Sequence, residues 1–212
     1  PVEGDQSLAV QSMLTQGPLA RCIADLRLAL AAMSGFDARD PLHAPAPLVG
    51  APLPRPRRVG LLRDVGVARP APAVDAALTQ AARWLEDAGY RVEEVEDPGF
   101  AEAYRLWYLL VMEEMRLLMP MVEELGDAGM RGAAANYYAV AREWWGDKPS
   151  LESYIKGYAR RGTLIVRLQR FLTECPLILL PVSAEQAFEQ DADIASVDGM
   201  RRVMAANWSM MA

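Results

Sequence analysis

The chain has 212 residues, 52% of them hydrophobic and 24% charged, enough for a buried core and unlike a disordered tail, a collagen repeat or a coiled coil. Lys and Arg number 22 against 28 Asp and Glu, so the net charge is −6; the basic footprint of nucleic-acid or anionic-membrane binding is missing. Two cysteines, Cys22 and Cys175, build no disulfide framework and no zinc cluster, which fits small core residues in a cytosolic protein. No apolar run reaches the roughly 18 to 20 residues of a transmembrane helix. The termini look cut: the chain starts at Pro1 without methionine, and it ends at Ala212 inside an apolar pattern of Val203, Met204, Trp208 and Met211 with no Gly or Asn cap after it.

In chain order, Gly17-Pro18 followed by Leu19, Ile23, Leu26, Leu30 and Met33, then Gly35, predicts a helix over 17–35. Residues 36–56 hold six prolines and predict an extended connection. Arg58 to Arg63 has strand character, and Val74, Leu78, Ala81, Trp84, Leu85 and Ala88 line one face of a helix that Gly89 closes. Arg91 to Glu96 sets Val92 and Val95 among charges, as in an edge or half-buried strand. The stretch 57–97 is therefore expected to be a βαβ unit with parallel strands. Residues 100–173 are helical, with Pro120 expected to break or kink the first helix. Pro176 to Pro181 is a short apolar run, the pattern of a strand buried on both faces within 176–183. A last helix covers 198–212.

Candidate chemistry is sparse. His43 is the only histidine and sits in the proline-rich stretch, where a lone histidine is ordinarily solvated; without a second one, the His-based zinc sites fall away. Glu113-Glu114 and Glu123-Glu124 lack the Glu-x-x-His partners of helical di-iron sites and read as solvated helix face. Ser153 and Lys156 match S-x-x-K, but the companion S-D-N and K-T-G elements are absent. Gly60 to Gly66 is no dinucleotide fingerprint. The large side chains from Tyr104 to Met130, with Tyr137, Tyr138, Trp144 and Trp145, suit either a core or the wall of an apolar pocket.

Several stretches taken together resemble the amidase-signature hydrolases. Gln16 to Arg21, Ala24-Asp25-Leu26, Ala29-Leu30 and Asp37 to Pro41 are similar to the helix that follows that family's catalytic segment. Arg58 to Arg63, Val74-Asp75, Ala81-Ala82, Leu85, Ala88 to Tyr90 and Val92 to Val95 resemble its next strand, helix and strand, and Phe171-Leu172 through Leu179 to Pro181 its later buried strand. The resemblance implies an α/β fold with a mixed sheet wrapped by helices, present here as one partial domain over 1–212 with about three strands and six or seven helices. It implies hydrolysis of a carboxylic amide by a serine nucleophile, aided by a second serine in a cis peptide and a lysine, with backbone N–H groups as oxyanion hole and no metal or other cofactor. In that family these residues precede the Gly-Pro helix, so none is expected in this chain: Ser7, Ser12 and Lys148 do not match them. Specificity in the family comes from the variable helices, here 100–170, and from the loop after the buried strand. Pro181, Val182 and Ser183 would border the nucleophile, with Val182 where the family carries Thr, and Trp107, Met112 and Tyr137 would wall the substrate. The implied partner is a small-molecule amide, with neither nucleic acid nor membrane, and a homodimer is left open. Two alternatives stand beside this: the amidase component of a tRNA-dependent amidotransferase, against which the missing Asn-Leu-Ala-Arg-Tyr-Asp-Gly motif argues, and a non-catalytic α/β scaffold.

Overall fold

In the computed structural model, residues 7–15, 17–38, 40, 42–52 and 57–212 are described; Gln16, Arg39 and Pro41 of the family resemblance and residues 53–56 of the proline-rich connection lie outside them. The chain divides into two compact units, 1–53 and 54–212.

The first unit carries α1 (Leu8–Met13) and α2 (Ile23–Met33). Helix α2 starts later than Pro18 suggests: Cys22 is extended, and the first helical bond runs from Leu26 N–H to Cys22 O. None of the α2 residues is buried. Cys22 is exposed, which corrects its expected core role, whereas Cys175 is buried as expected.

The second unit opens with strand β1 (Arg57–Leu61), helix α3 (Pro72–Asp87) and strand β2 (Tyr90–Glu94), and β1 pairs with β2 in parallel, Val59 opposite Val92. Pro72 opens α3, where its missing N–H costs nothing. Leu78 faces inward, but Trp84 is 66% exposed, so the inner face of α3 is narrower than the periodicity suggests. A Cβ on Gly60 would come within 2.9 Å of Val95 and 3.2 Å of Cys175; the bare backbone there lets the residues flanking β1 close over it.

Strand β3 (Leu177–Leu179) joins the other side of β1, also in parallel, giving the order β2-β1-β3. The apolar run around it predicts burial on both faces; Ile178 and Leu180 pack against the core, and Leu177 is 37% exposed. Burial depends on neighbours that hydropathy does not reveal, and among the described residues only β1 pairs with it.

Helices α4 (Phe100–Leu125), α5 (Ala128–Trp145) and α6 (Leu151–Glu174) fill the long crossover between β2 and β3, and α7 (Val197–Ala206) and α8 (Trp208–Met211) follow. Thus the described residues form an α/β fold of three strands and eight helices. Helices α4 to α7 are each started by a side chain. Asp97 Oδ1 accepts from Gly99 and Phe100 N–H at 2.8 and 2.6 Å, Asp127 from Met130, Ser150 from Ser153 and Ser196 from Gly199. Pro120 does not break α4: it lies on the exposed face, where the Arg116 carbonyl it leaves unpaired can meet water.

Helix α4 is the central post. Tyr104, Tyr108 and Met112, four residues apart, pack into a buried cluster with Tyr137 and Val140 of α5, Met200 and Met204 of α7, Trp208 of α8 and Leu62 after β1. Leu106, Leu109 and Leu110 instead meet α6 at Gly157. The second half of α4 turns Leu117, Leu118, Met121 and Leu125 outward.

Candidate functional site

In open parallel sheets, ligands bind outside the carboxyl ends of the strands where strand order reverses direction. Here β1 has β2 on one side and β3 on the other, so the reversal lies at the carboxyl ends of β1 and β3. The residues just past those ends are Leu62 to Val67 and Leu180 to Ala184.

Hydrogen bonds fix this region. Leu62 N–H donates to Leu179 O at 2.9 Å, closing β1 against β3, and Val95 N–H donates to Leu61 O. The Arg63 guanidinium reaches Glu94 Oε1 at 2.9 Å and Asp75 Oδ1 at 2.6 Å, tying β1 to β2 and α3. Those carboxylates, Glu94 foremost, hold the Arg63 pKa above its ordinary value. The segment after β3 is clasped on both sides. Ala184 O accepts from Ala71 N–H at 2.8 Å, Ala184 N–H donates to Ala206 O at 2.7 Å, and Ser209 Oγ lies 2.7 Å from Pro181 O and 3.0 Å from Val182 O.

Among the predicted loop residues, Pro181 is buried, Val182 is 73% exposed, and Ser183 is half-buried with its Oγ accepting from Glu185 N–H at 3.3 Å. The three predicted wall residues meet in one place. Tyr137 stacks on Tyr108 with ring centroids 5.2 Å apart, and Trp107 stands edge-on to both, at 5.6 Å from Tyr108 and 6.0 Å from Tyr137. Met112 belongs to the same cluster, against which Val65, Val67, Ile178 and Leu180 also pack. The aromatic cluster therefore adjoins the carboxyl ends of β1 and β3. Met112 and Tyr137 are 1% and 6% exposed, leaving half-buried Trp107 the most free surface of the three. Burial raises the phenol pKa of Tyr108 and Tyr137, keeping both neutral.

Other sequence candidates resolve into structural roles. Lys156 Nζ is 2.5 Å from Glu152, while Ser153 belongs to the α6 cap with Ser150, so the S-x-x-K pair is a helix-start arrangement. His43 lies in the first unit, its ring 5.4 Å from Phe36 in an edge contact. Glu123 and Glu124 are exposed and Glu113 pairs with Arg116. Glu114 departs from the solvated face expected of it: it is 8% exposed and accepts hydrogen bonds from Tyr154 Oη at 2.6 Å and Tyr158 Oη at 3.0 Å. Its spacing four residues after Leu110 and eight after Leu106, on the stripe facing α6, was the available signal. Desolvation, then the bond to Glu114, pushes the Tyr154 phenol up.

No group of three His, Cys, Asp or Glu among the described residues is arranged to hold a metal ion, and no helix there is long and apolar enough to cross a membrane. A depression lined by Arg57, Ala88, Gly89 and Tyr90, about 80 Å³ in volume, lies at the opposite, amino ends of β1 and β2. It is far below the roughly 300 Å³ of ordinary ligand sites.

Comparison with known proteins decides the lineage. The family profile described as Amidase matches residues 7–211. The chain belongs to the amidase family. Two indoleacetamide hydrolases, from Bradyrhizobium japonicum and Bradyrhizobium diazoefficiens, are 33% and 34% identical over 207 residues, 94% of this chain. The chain spans 42% and 37% of their lengths, about two fifths. One component of the glutamyl-tRNA(Gln) amidotransferase of Thermus thermophilus is 34% identical over 113 residues, 50% of this chain and 24% of its own length.

Proposed function

We propose that this chain is the substrate-side portion of an amidase that hydrolyses the C–N bond of a carboxylic amide, releasing the acid and ammonia or an amine. The single observation that carries this reading is the similarity to indoleacetamide hydrolases through both units and the whole variable helical region. The serine nucleophile, its partner serine and its lysine are supplied by sequence outside these 212 residues. The 181–183 segment borders the scissile amide, and half-buried Trp107 gives the acyl side an aromatic wall that buried Met112 and Tyr137 back from within the core. Such a wall suits an aryl-acetamide such as indoleacetamide, whose flat ring gains from edge and offset-stacked contacts.

The amidotransferase reading has the weaker support, because similarity to those proteins covers half of the chain and the Asn-Leu-Ala-Arg-Tyr-Asp-Gly motif is missing from the variable region. A net charge of −6 also argues against a tRNA partner. Two free cysteines and bacterial relatives favour a bacterial cytoplasmic enzyme. The test is ammonia and acid release by the full-length polypeptide from indoleacetamide, from aliphatic primary amides and from glutamine. Turnover of the aromatic amide above the others is expected. Glutamine turnover stimulated by charged tRNA, with the aromatic amide inert, would transfer the assignment to the amidotransferases.

A further inference from the structure

Ser209 stands out because its hydroxyl faces main chain that lies far from it in sequence. Its Oγ is 2.7 Å from Pro181 O and 3.0 Å from Val182 O, so its one proton is shared between two carbonyls just beyond the end of β3. Three residues earlier, Ala206 O accepts from Ala184 N–H at 2.7 Å. The α7–α8 junction thus grips the segment after β3 on both sides of Val182 and Ser183. Neighbouring Trp208 is fully buried, edge-on to Phe100 at 5.8 Å, so the helix that carries Ser209 is anchored in the core, whereas Val182 is 73% exposed. A rigid element holding a loop by side chain is how a site keeps its geometry within tolerance.

We propose that Ser209 is a positioning residue for amide hydrolysis: its hydroxyl sets the path of residues 181–183 and so the fit of the substrate amide. This rests on the reading that 181–183 borders the substrate. Ser209 touches neither substrate nor nucleophile; it acts through the Pro181 and Val182 carbonyls.

The experiment measures KM and kcat of the full-length amidase for a primary aromatic amide in the Ser209→Ala, Ser209→Thr and Ser209→Val forms, together with Val182→Trp. Thr and Val have nearly the same shape and differ in the hydroxyl, so their comparison stands even if the Ala form does not fold. Positioning predicts KM raised about fivefold in the Ala and Val forms, the factor set by one net hydrogen bond, with kcat within about twofold and Thr close to the parent. Val182→Trp, which fills the loop's exposed side, raises KM independently. If Val182→Trp raises KM and the Val form equals the Thr form, the proposal fails while the loop reading stands. If neither Val182→Trp nor any Ser209 variant moves KM, the loop reading fails and takes the proposal with it. A lowered melting temperature with unchanged KM would make Ser209 a stability residue only and overturn the proposal.

Discussion

Two glycines on α6 give opposite predictions from the same substitution. Gly157 is buried against α4, and a Cβ there would meet Leu109 at 3.0 Å, Leu110 at 3.1 Å and Leu106 at 3.2 Å. Relaxed carbon contacts sit near 3.5 to 4.0 Å, so three leucine methyl groups that crowd the same point must all give way by a few tenths of an ångström. Overpacking of this kind costs about 1–3 kcal/mol, against about 1 kcal/mol gained by replacing glycine inside a helix. Gly157→Ala should therefore destabilise by about 1 kcal/mol. Gly162, five residues on, is exposed and has nothing within 4 Å of the same position; Gly162→Ala should stabilise by about 1 kcal/mol. The two variants thus differ by about 2 kcal/mol, read as the separation of their urea midpoints at unchanged slope. If Gly157→Ala is as stable as Gly162→Ala, the close approach of α4 and α6 is wrong, and with it the placement of the α4 stripes.

The buried carboxylate makes a second test. Tyr154→Phe should cost about 1 kcal/mol by denaturation, as the Glu114 carboxyl loses the donor at 2.6 Å and keeps the one from Tyr158 at 3.0 Å, and a double-mutant cycle with Glu114→Gln should show coupling between the two sites. Alkaline stability makes a third. Burial holds Tyr108 and Tyr137 neutral above the ordinary phenol value of 10.0, so their contribution is fully present below pH 10 and declines as pH rises, because the unfolded chain ionises first. The decline is about 1.4 kcal/mol per pH unit for each tyrosine, and Tyr137→Phe should flatten the measured stability-against-pH curve above pH 10. An unchanged slope in that variant would mean that Tyr137 ionises in the folded state.

The strand, helix and strand of 57–97 were legible because local signals agreed: an apolar face from Val74 to Ala88, Gly89 closing the helix, and Val92 and Val95 set among charges. The family resemblance was legible on the same segments. What escaped depends on contacts distant in sequence. Glu113 and Glu114 look alike in the chain, yet one pairs with Arg116 at the surface and the other lies beneath α6; helix rotation alone separates them. Pro120 reads as a break, but a proline on the solvent side of a long helix leaves a carbonyl that water can satisfy. The clasp on 181–184 is made largely of main-chain groups, so apart from Ser209 no residue type announces it.

The central claim is that this chain shapes the substrate side of an amidase whose serine nucleophile lies elsewhere in the polypeptide. Trapping the acyl-enzyme of the full-length protein with a slowly hydrolysed aromatic amide or ester, followed by peptide mapping, tests it most directly. One acylated serine outside Pro1 to Ala212 is the expected result. An acyl group on Ser153, beside Lys156, or on any other serine of this chain would contradict it.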